Sequence, residues 1–172
     1  MLKNMITLLK KNLGINMARQ RITEGAILEI KIEGQYYVYA QIVSEADCAF
    51  FNYKSTVKLK DFSVLENANV LFIIAVYDDV ITQGKWLKVG KSNIREDLKN
   101  KPMKFIQDPI NQNNFELYNP NTGEISKATK EQCIGLECAA VWEANHVEDR
   151  IRDYYLGIPN IWLEQTKIKL NA

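Results

Sequence analysis

The sequence predicts an α+β fold: a mostly antiparallel β domain with a long C-terminal helix and a short N-terminal helix. Three features carry that reading. From Gly25 the character turns to strand, and apolar and charged residues alternate with a period of two from Leu28 to Glu33, as in a half-buried strand. Val70 to Val76 (VLFIIAV) is an unbroken apolar run, expected of a strand covered on both faces. Thr129 and Gln132 form a T-x-x-Q capping box, after which apolar residues keep helical spacing to Leu156.

At the N-terminus, Leu2, Ile6, Leu9 and Leu13 recur at helical spacing, and Gly14 is placed to end that helix. Lys3, Lys10, Lys11, Arg19 and Arg21 make residues 1–21 basic, with no acidic residue among them. This segment is expected to be an amphipathic helix or lead-in, either docked on the body or facing an anionic surface. Residues 22–172 are expected to form one domain.

In the opening strand Leu28, Ile30 and Ile32 share one face, and Glu29, Lys31 and Glu33 share the other. Glu33-Gly34-Gln35 is a compact turn, so residues 26–43 read as a hairpin. Cys48 to Tyr53 supplies a third, aromatic-rich strand, and Asp78-Asp79 closes the Val70–Val76 strand. Shorter strands are expected at Lys85–Val89, Lys104–Gln107 and Phe115–Tyr118. Pro120-Asn121-Thr122-Gly123 is a turn, because proline presets one dihedral and glycine tolerates the next. Leu136, Ala140, Val147, Ile151 and Tyr154 define the helical stripe, with Trp142 in its apolar middle. Gly157 and Pro159 stop it. Alternation at Ile168-Lys169-Leu170 reads as a last edge strand within Ile161 to Leu170.

The chain has 172 residues, 47% hydrophobic and 25% charged, which is ordinary globular usage. A net charge of +1 gives no overall field toward nucleic acid or acidic membranes. Cys48, Cys133 and Cys138 are odd in number and lack C-x-x-C spacing, so they read as reduced thiols behaving as small apolar residues. No run approaches the roughly 18–20 apolar residues of a membrane helix. These features predict a cytoplasmic protein without a membrane partner.

The single histidine, His146, excludes sites built from several histidines. Glu143 and Asp149 flank it three residues away on either side, on the same helical face. That arrangement admits a general base oriented by a carboxylate, and equally a helix residue anchored by its neighbours. A lone E-x-x-H is half of a di-metal carboxylate motif, and no second copy exists, so no metal or cofactor is expected. Glu148 and Arg152 have i, i+4 pair spacing on an otherwise solvated face. Gly84-Lys85-Trp86 and Gly90-Lys91-Ser92 lack the spacer of a phosphate loop. Tyr36, Tyr37, Tyr39, Phe50, Phe51 and Tyr53 could stack the bases of a single nucleic-acid strand. No lysine or arginine falls between Gln35 and Phe51, which favours core aromatics or a tyrosine-bearing protein interface and disfavours nucleic acid.

Several blocks together resemble a known family. They are the hairpin Gly25 to Val43, Val76-Tyr77-Asp78 with Gly84-Lys85-Trp86 and Val89-Gly90, and Phe105 to Pro109 leading into Phe115 to Tyr118. Thr129 to Glu137, Ala139 to Glu143, and His146 to Tyr155 with Gly157 follow in order. This succession, over about residues 22–160, is similar to the immunity protein 26 family of bacterial polymorphic toxin systems. The resemblance implies a mostly β, non-catalytic protein that binds the toxin domain encoded beside it and so protects the producing cell. Toward a basic toxin, the candidate contacts are Asp78, Asp79, Glu143, Glu148 and Asp149, with His146 among them. Reversing both Glu148 and Asp149 to lysine is then expected to slow toxin association more than it alters folding.

Overall fold

The computed structural model describes residues 19–169. β1 (Ala26–Ile32) and β2 (Tyr36–Ser44) form the expected hairpin, with Ile32 opposite Tyr36. The tip is a type I′ turn: Glu33 and Gly34 have φ of 47° and 72°, and the Gln35 N–H donates to the Ile32 carbonyl at 2.9 Å. β3 (Asp47–Ser55) returns antiparallel beside β2. A 3₁₀ turn at Ser63–Asn67 leads to β4 (Val70–Val76), antiparallel to β3. α1 (Asp78–Thr82) follows at once, and β5 (Leu87–Lys91) then crosses to the far side of β1.

After α2 (Glu96–Lys99), a second sheet begins as a meander of β6 (Lys104–Gln107), β7 (Phe115–Tyr118) and β8 (Ile125–Ala128). The Pro120–Gly123 turn joins β7 to β8, and Gly123 takes the left-handed φ of 76° that the turn needs. α3 (Lys130–Cys133) is capped as the sequence predicts: the Gln132 N–H donates to Thr129 Oγ1, and the Thr129 N–H donates to Gln132 Oε1. β9 (Glu137–Cys138) then lies parallel to β6, and β10 (Val141–Trp142) lies parallel to β4. Two residues therefore carry the chain from the second sheet to the first. α4 (Ala144–Leu156) ends at Gly157, whose φ of 67° is the left-handed cap, and α5 (Ile161–Gln165) follows. The strand orders are β10-β4-β3-β2-β1-β5 and β8-β7-β6-β9.

In the C-terminal half β8 adds a strand that the sequence reading did not expect, and two expected elements differ. The stripe from Leu136 to Tyr154 is not one helix: β9 and β10 interrupt it, and Trp142 is a buried strand residue, 6% exposed, rather than the middle of a helix. In the tail, Ile161–Gln165 is helical, capped by the Asn160 side chain, which accepts the Leu163 N–H at 2.9 Å; Ile168 and Lys169 are in no strand, and Leu170 lies outside the described residues. The expected helix at Leu2–Leu13 lies outside the described residues.

Both faces of the first sheet are covered. Leu28, Ile30, Val38, Ile42, Phe50 and Ile74 pack under Val147 and Ile151 of α4 and under Trp86. Ile27, Tyr39, Ala49 and Phe51 pack on the other face against Leu65 and Leu98. Each large apolar side chain so buried contributes about 1.5–3 kcal/mol. The double cover explains why Glu29, placed by alternation on a polar face, is buried. It accepts the Tyr39 hydroxyl at 3.3 Å and pairs with Lys58 at 2.8 Å. In β4 only Ile74 and Val76 are fully buried; Phe72 is partly buried beside Phe50, 5.0 Å away between ring centres, and the Arg150 guanidinium, 3.8 Å from its ring centre. The second sheet has its own small core of Phe105, Phe115 and Cys133.

One polar atom in this packing is unmatched. Tyr155 Oη is buried with no hydrogen-bond partner among the described residues, and burial pushes its hydroxyl pKa up to about 12. Removing an unsatisfied buried hydroxyl relieves its desolvation cost. Tyr155→Phe is therefore expected to raise stability by about 1 kcal/mol in urea unfolding, and a loss of that size would mean that the hydroxyl has a partner in solution.

Candidate functional site

The six candidate residues fall in two groups. Glu143 is the residue before α4; its carbonyl accepts the Val147 N–H at 3.1 Å, while its side chain makes no cap. The half-buried His146 ring stacks on Trp162, with centroids 3.6 Å apart and planes inclined by 22°. Among the described residues no carboxylate is hydrogen-bonded to it, so the structure does not bring Glu143 or Asp149 to it as an orienting partner.

Glu148 and Asp149 are committed to indoles. Glu148 Oε1 accepts Trp86 Nε1 at 2.8 Å, and Asp149 Oδ2 accepts Trp162 Nε1 at 2.9 Å. Burial raises the Glu148 carboxyl above its ordinary range and the Asp149 charge adds to this, with the Trp86 hydrogen bond opposing. The spacing pair Glu148–Arg152 does not form. Glu148 is occupied by Trp86, and Arg152 reaches Asp149 at 2.6 Å, Asp153 at 2.7 Å and Glu33 at 3.2 Å. Reversing Glu148 and Asp149 together thus removes both indole anchors and turns an ion pair into a repulsion, so folding is affected as directly as any association.

Asp78 and Asp79 open α1 directly after β4. Here the sheet end forms an open groove of about 570 Å³, lined by Glu45 from the β2–β3 turn, Asp47 at the start of β3, and Tyr77, Asp78 and Asp79. Tyr118 and Val141 complete its wall. Asp47 pairs with Lys101 at 2.5 Å and Asp79 with Lys85 at 2.7 Å. Glu45 and Asp78 are exposed and have no ion-pair partner among the described residues. Between them Tyr77 is 48% exposed and Val141 52%. The Tyr77 N–H donates to the Trp142 carbonyl at 3.1 Å, so Glu143 continues the β10 register beside Tyr77 and joins this end of the molecule. Glu45, Asp47 and Tyr77 escape sequence reasoning because a groove made by two turns leaves no spacing pattern. The turn itself gives no residue-type signal either, since Glu45 holds its left-handed φ of 42° without being a glycine or asparagine.

The sequence profile of immunity protein 26 matches residues 23–116, more than half of the chain. The chain belongs to the immunity protein 26 family. No curated protein and no solved structure matches it. The matched span covers β1 to β6 and the start of β7, and so the Glu45–Asp79 part of the groove. The Thr129–Gly157 blocks and α4 lie beyond it. Membership in an immunity protein 26 family points to a toxin protein as the class of partner and to a non-catalytic role. No helix among the described residues is long and apolar enough to cross a membrane. Among the same residues no group of three or more His, Cys, Asp or Glu could hold a metal ion.

Proposed function

We propose that this immunity protein 26 family member binds the toxic domain of a cognate secreted toxin of a bacterial polymorphic toxin system, in the cytoplasm of the producing cell, and neutralises it by occlusion. The observation that carries this reading is the groove in which Glu45 and Asp78, exposed and without an ion-pair partner among the described residues, flank the exposed Tyr77. Interfaces draw most of their energy from a few aromatic anchors in desolvated pockets, and complementary charge sets encounter rate and register. A groove with two exposed carboxylates fits a basic partner, such as the active face of a nuclease. Asp78, Asp79 and Glu143 sit at this end; His146, Glu148 and Asp149, continuing along α4, are proposed to widen the contact while also holding the helix in place.

The test is growth of cells expressing the toxic domain encoded beside this gene, with and without the chain, together with co-purification of the two proteins. Rescue with a stable one-to-one complex is the expected result. Growth arrest that persists while the chain is present and folded would sink the reading.

A further inference from the structure

The end of the first sheet opposite the groove carries a surface of the reverse sign. At the hairpin tip and the close of β3, lysines lie over tyrosine rings. Lys31 Nζ is 5.8 Å and Lys58 Nζ 5.4 Å from the centre of Tyr37. Lys54 Nζ is 5.4 Å from the centre of Tyr36 and 4.5 Å from that of Tyr155. The three lysines are exposed and the three rings half-buried. Lys58 is tied to Glu29, but Lys31 and Lys54 have no ion-pair partner among the described residues. Glu33, the acidic residue of the hairpin tip, is held by Arg152. Lys60, also exposed, extends the positive surface along the loop after β3. The sequence window Gln35–Phe51 holds no basic residue, yet folding brings lysines from just outside it onto the same tyrosines.

We infer that this lysine–tyrosine end binds a single strand of nucleic acid, without sequence preference and independently of the groove. Such a strand needs cations to follow its phosphates and aromatic faces to receive its bases, and both are present within one patch. The lysines that now cover the rings do not oppose this. An exposed cation–π contact shifts an equilibrium by about 2- to 5-fold, whereas a stacked base is worth about 5- to 150-fold, so exchange of the ammonium groups for bases is favourable. The ammonium groups then lie beside the rings, where the phosphates run. The groove carboxylates do not cancel the patch, because the two ends lie about 27 Å apart along β2, well beyond the Debye length of about 8 Å at physiological salt. An acidic polypeptide would use the lysines and leave the ring faces idle.

The test is fluorescence anisotropy of labelled oligouridine with the intact chain at low salt. Binding should weaken about 100-fold for a tenfold rise in salt, the value for three phosphate contacts on a single strand. Lys31→Glu with Lys54→Glu should weaken it at least about tenfold and lower the logarithmic salt slope by about 1.4. Tyr37→Leu keeps the apolar body of the side chain; it should cost about 5-fold or more and leave the salt slope unchanged. Unchanged thermal unfolding of each variant confirms that the fold is intact. No binding at low salt, or equal binding by the double lysine variant, overturns the inference. Displacement by polyglutamate as effective as by oligouridine also overturns it, and assigns the patch to acidic polypeptides. None of these outcomes bears on growth rescue, so this inference and the proposed function fail separately.

Discussion

Arg150→Ala is expected to lower stability by about 1–3 kcal/mol, below the range for a fully buried ion pair because Glu137 is partly exposed and keeps Lys104. Arg150 leaves α4 and is only 7% exposed. Its Nη2 donates to Glu137 Oε1 at 2.5 Å, and its guanidinium lies 3.8 Å over Phe72 and 5.1 Å from Trp142. One side chain thus joins the helix, β4 and β10 of the first sheet, and β9 of the second. Truncation leaves Glu137 with Lys104, 3.4 Å away, and opens a gap over Phe72. Arg150→Met refills the gap without the charge and should fall between the two proteins.

The same variant should change the response to acid. Burial raises the Glu137 carboxyl, but hydrogen bonding and charge from Arg150, helped by Lys104, outweigh burial and hold it below the usual range. A carboxyl whose pKa is lower folded than unfolded stabilises fully above its unfolded value, and that stability is lost as pH falls through the folded value. Wild type should therefore lose stability below about pH 5 more steeply than Arg150→Ala. Glu148, raised by burial, acts with the opposite sign: its contribution is lost as pH rises through and above the ordinary glutamate range. The difference between the two proteins in urea midpoints across pH removes this common term. A loss below about 1 kcal/mol, with parallel pH curves, would show that the guanidinium only fills space.

Glu45→Lys with Asp78→Lys is expected to weaken toxin binding about 100-fold and to abolish growth rescue, because like charges facing each other across an interface cost several kcal/mol. The loss should lie mainly in the association rate and shrink as salt rises. Both carboxylates are exposed and free of ion pairs among the described residues, so unfolding should stay within about 0.5 kcal/mol of wild type. That separates this pair from Glu148 and Asp149, whose reversal strikes Trp86 and Trp162. Full rescue with unaltered association at low salt would move the interface away from the groove.

Where one strand faces its neighbour the sequence was readable. Alternation from Leu28 and the Glu33-Gly34 turn identify the hairpin, and β6 and β7 fall on the residues their apolar character marks. Reading fails where elements are shorter than the period that would reveal them. β9 and β10 have two residues each, so Leu136 and Ala140, four apart, mimic a helix that the capping box at Thr129 had already announced. Asn160 carried a usable cap signal, masked by the alternation of the tail. The roles of the site residues depended on tertiary partners. Nothing near Glu148 in sequence points to Trp86, sixty-two residues away, and nothing in the tyrosine-rich strands shows that Lys58 folds back over Tyr37.

The placement of Glu45 and Asp78 at one end of β2 and β3, and of Lys31 and Lys54 at the other, has a consequence that net charge conceals. With a formal total of +1 the chain is almost neutral as a monopole, while these four charges, exposed among the described residues, add a dipole component along the strands. A charged partner exerts little net pull on such a body from afar but applies a torque at short range. Such a component would favour approach of a basic surface to the acidic end and of a polyanion to the other, the orientations that the two proposed contacts require.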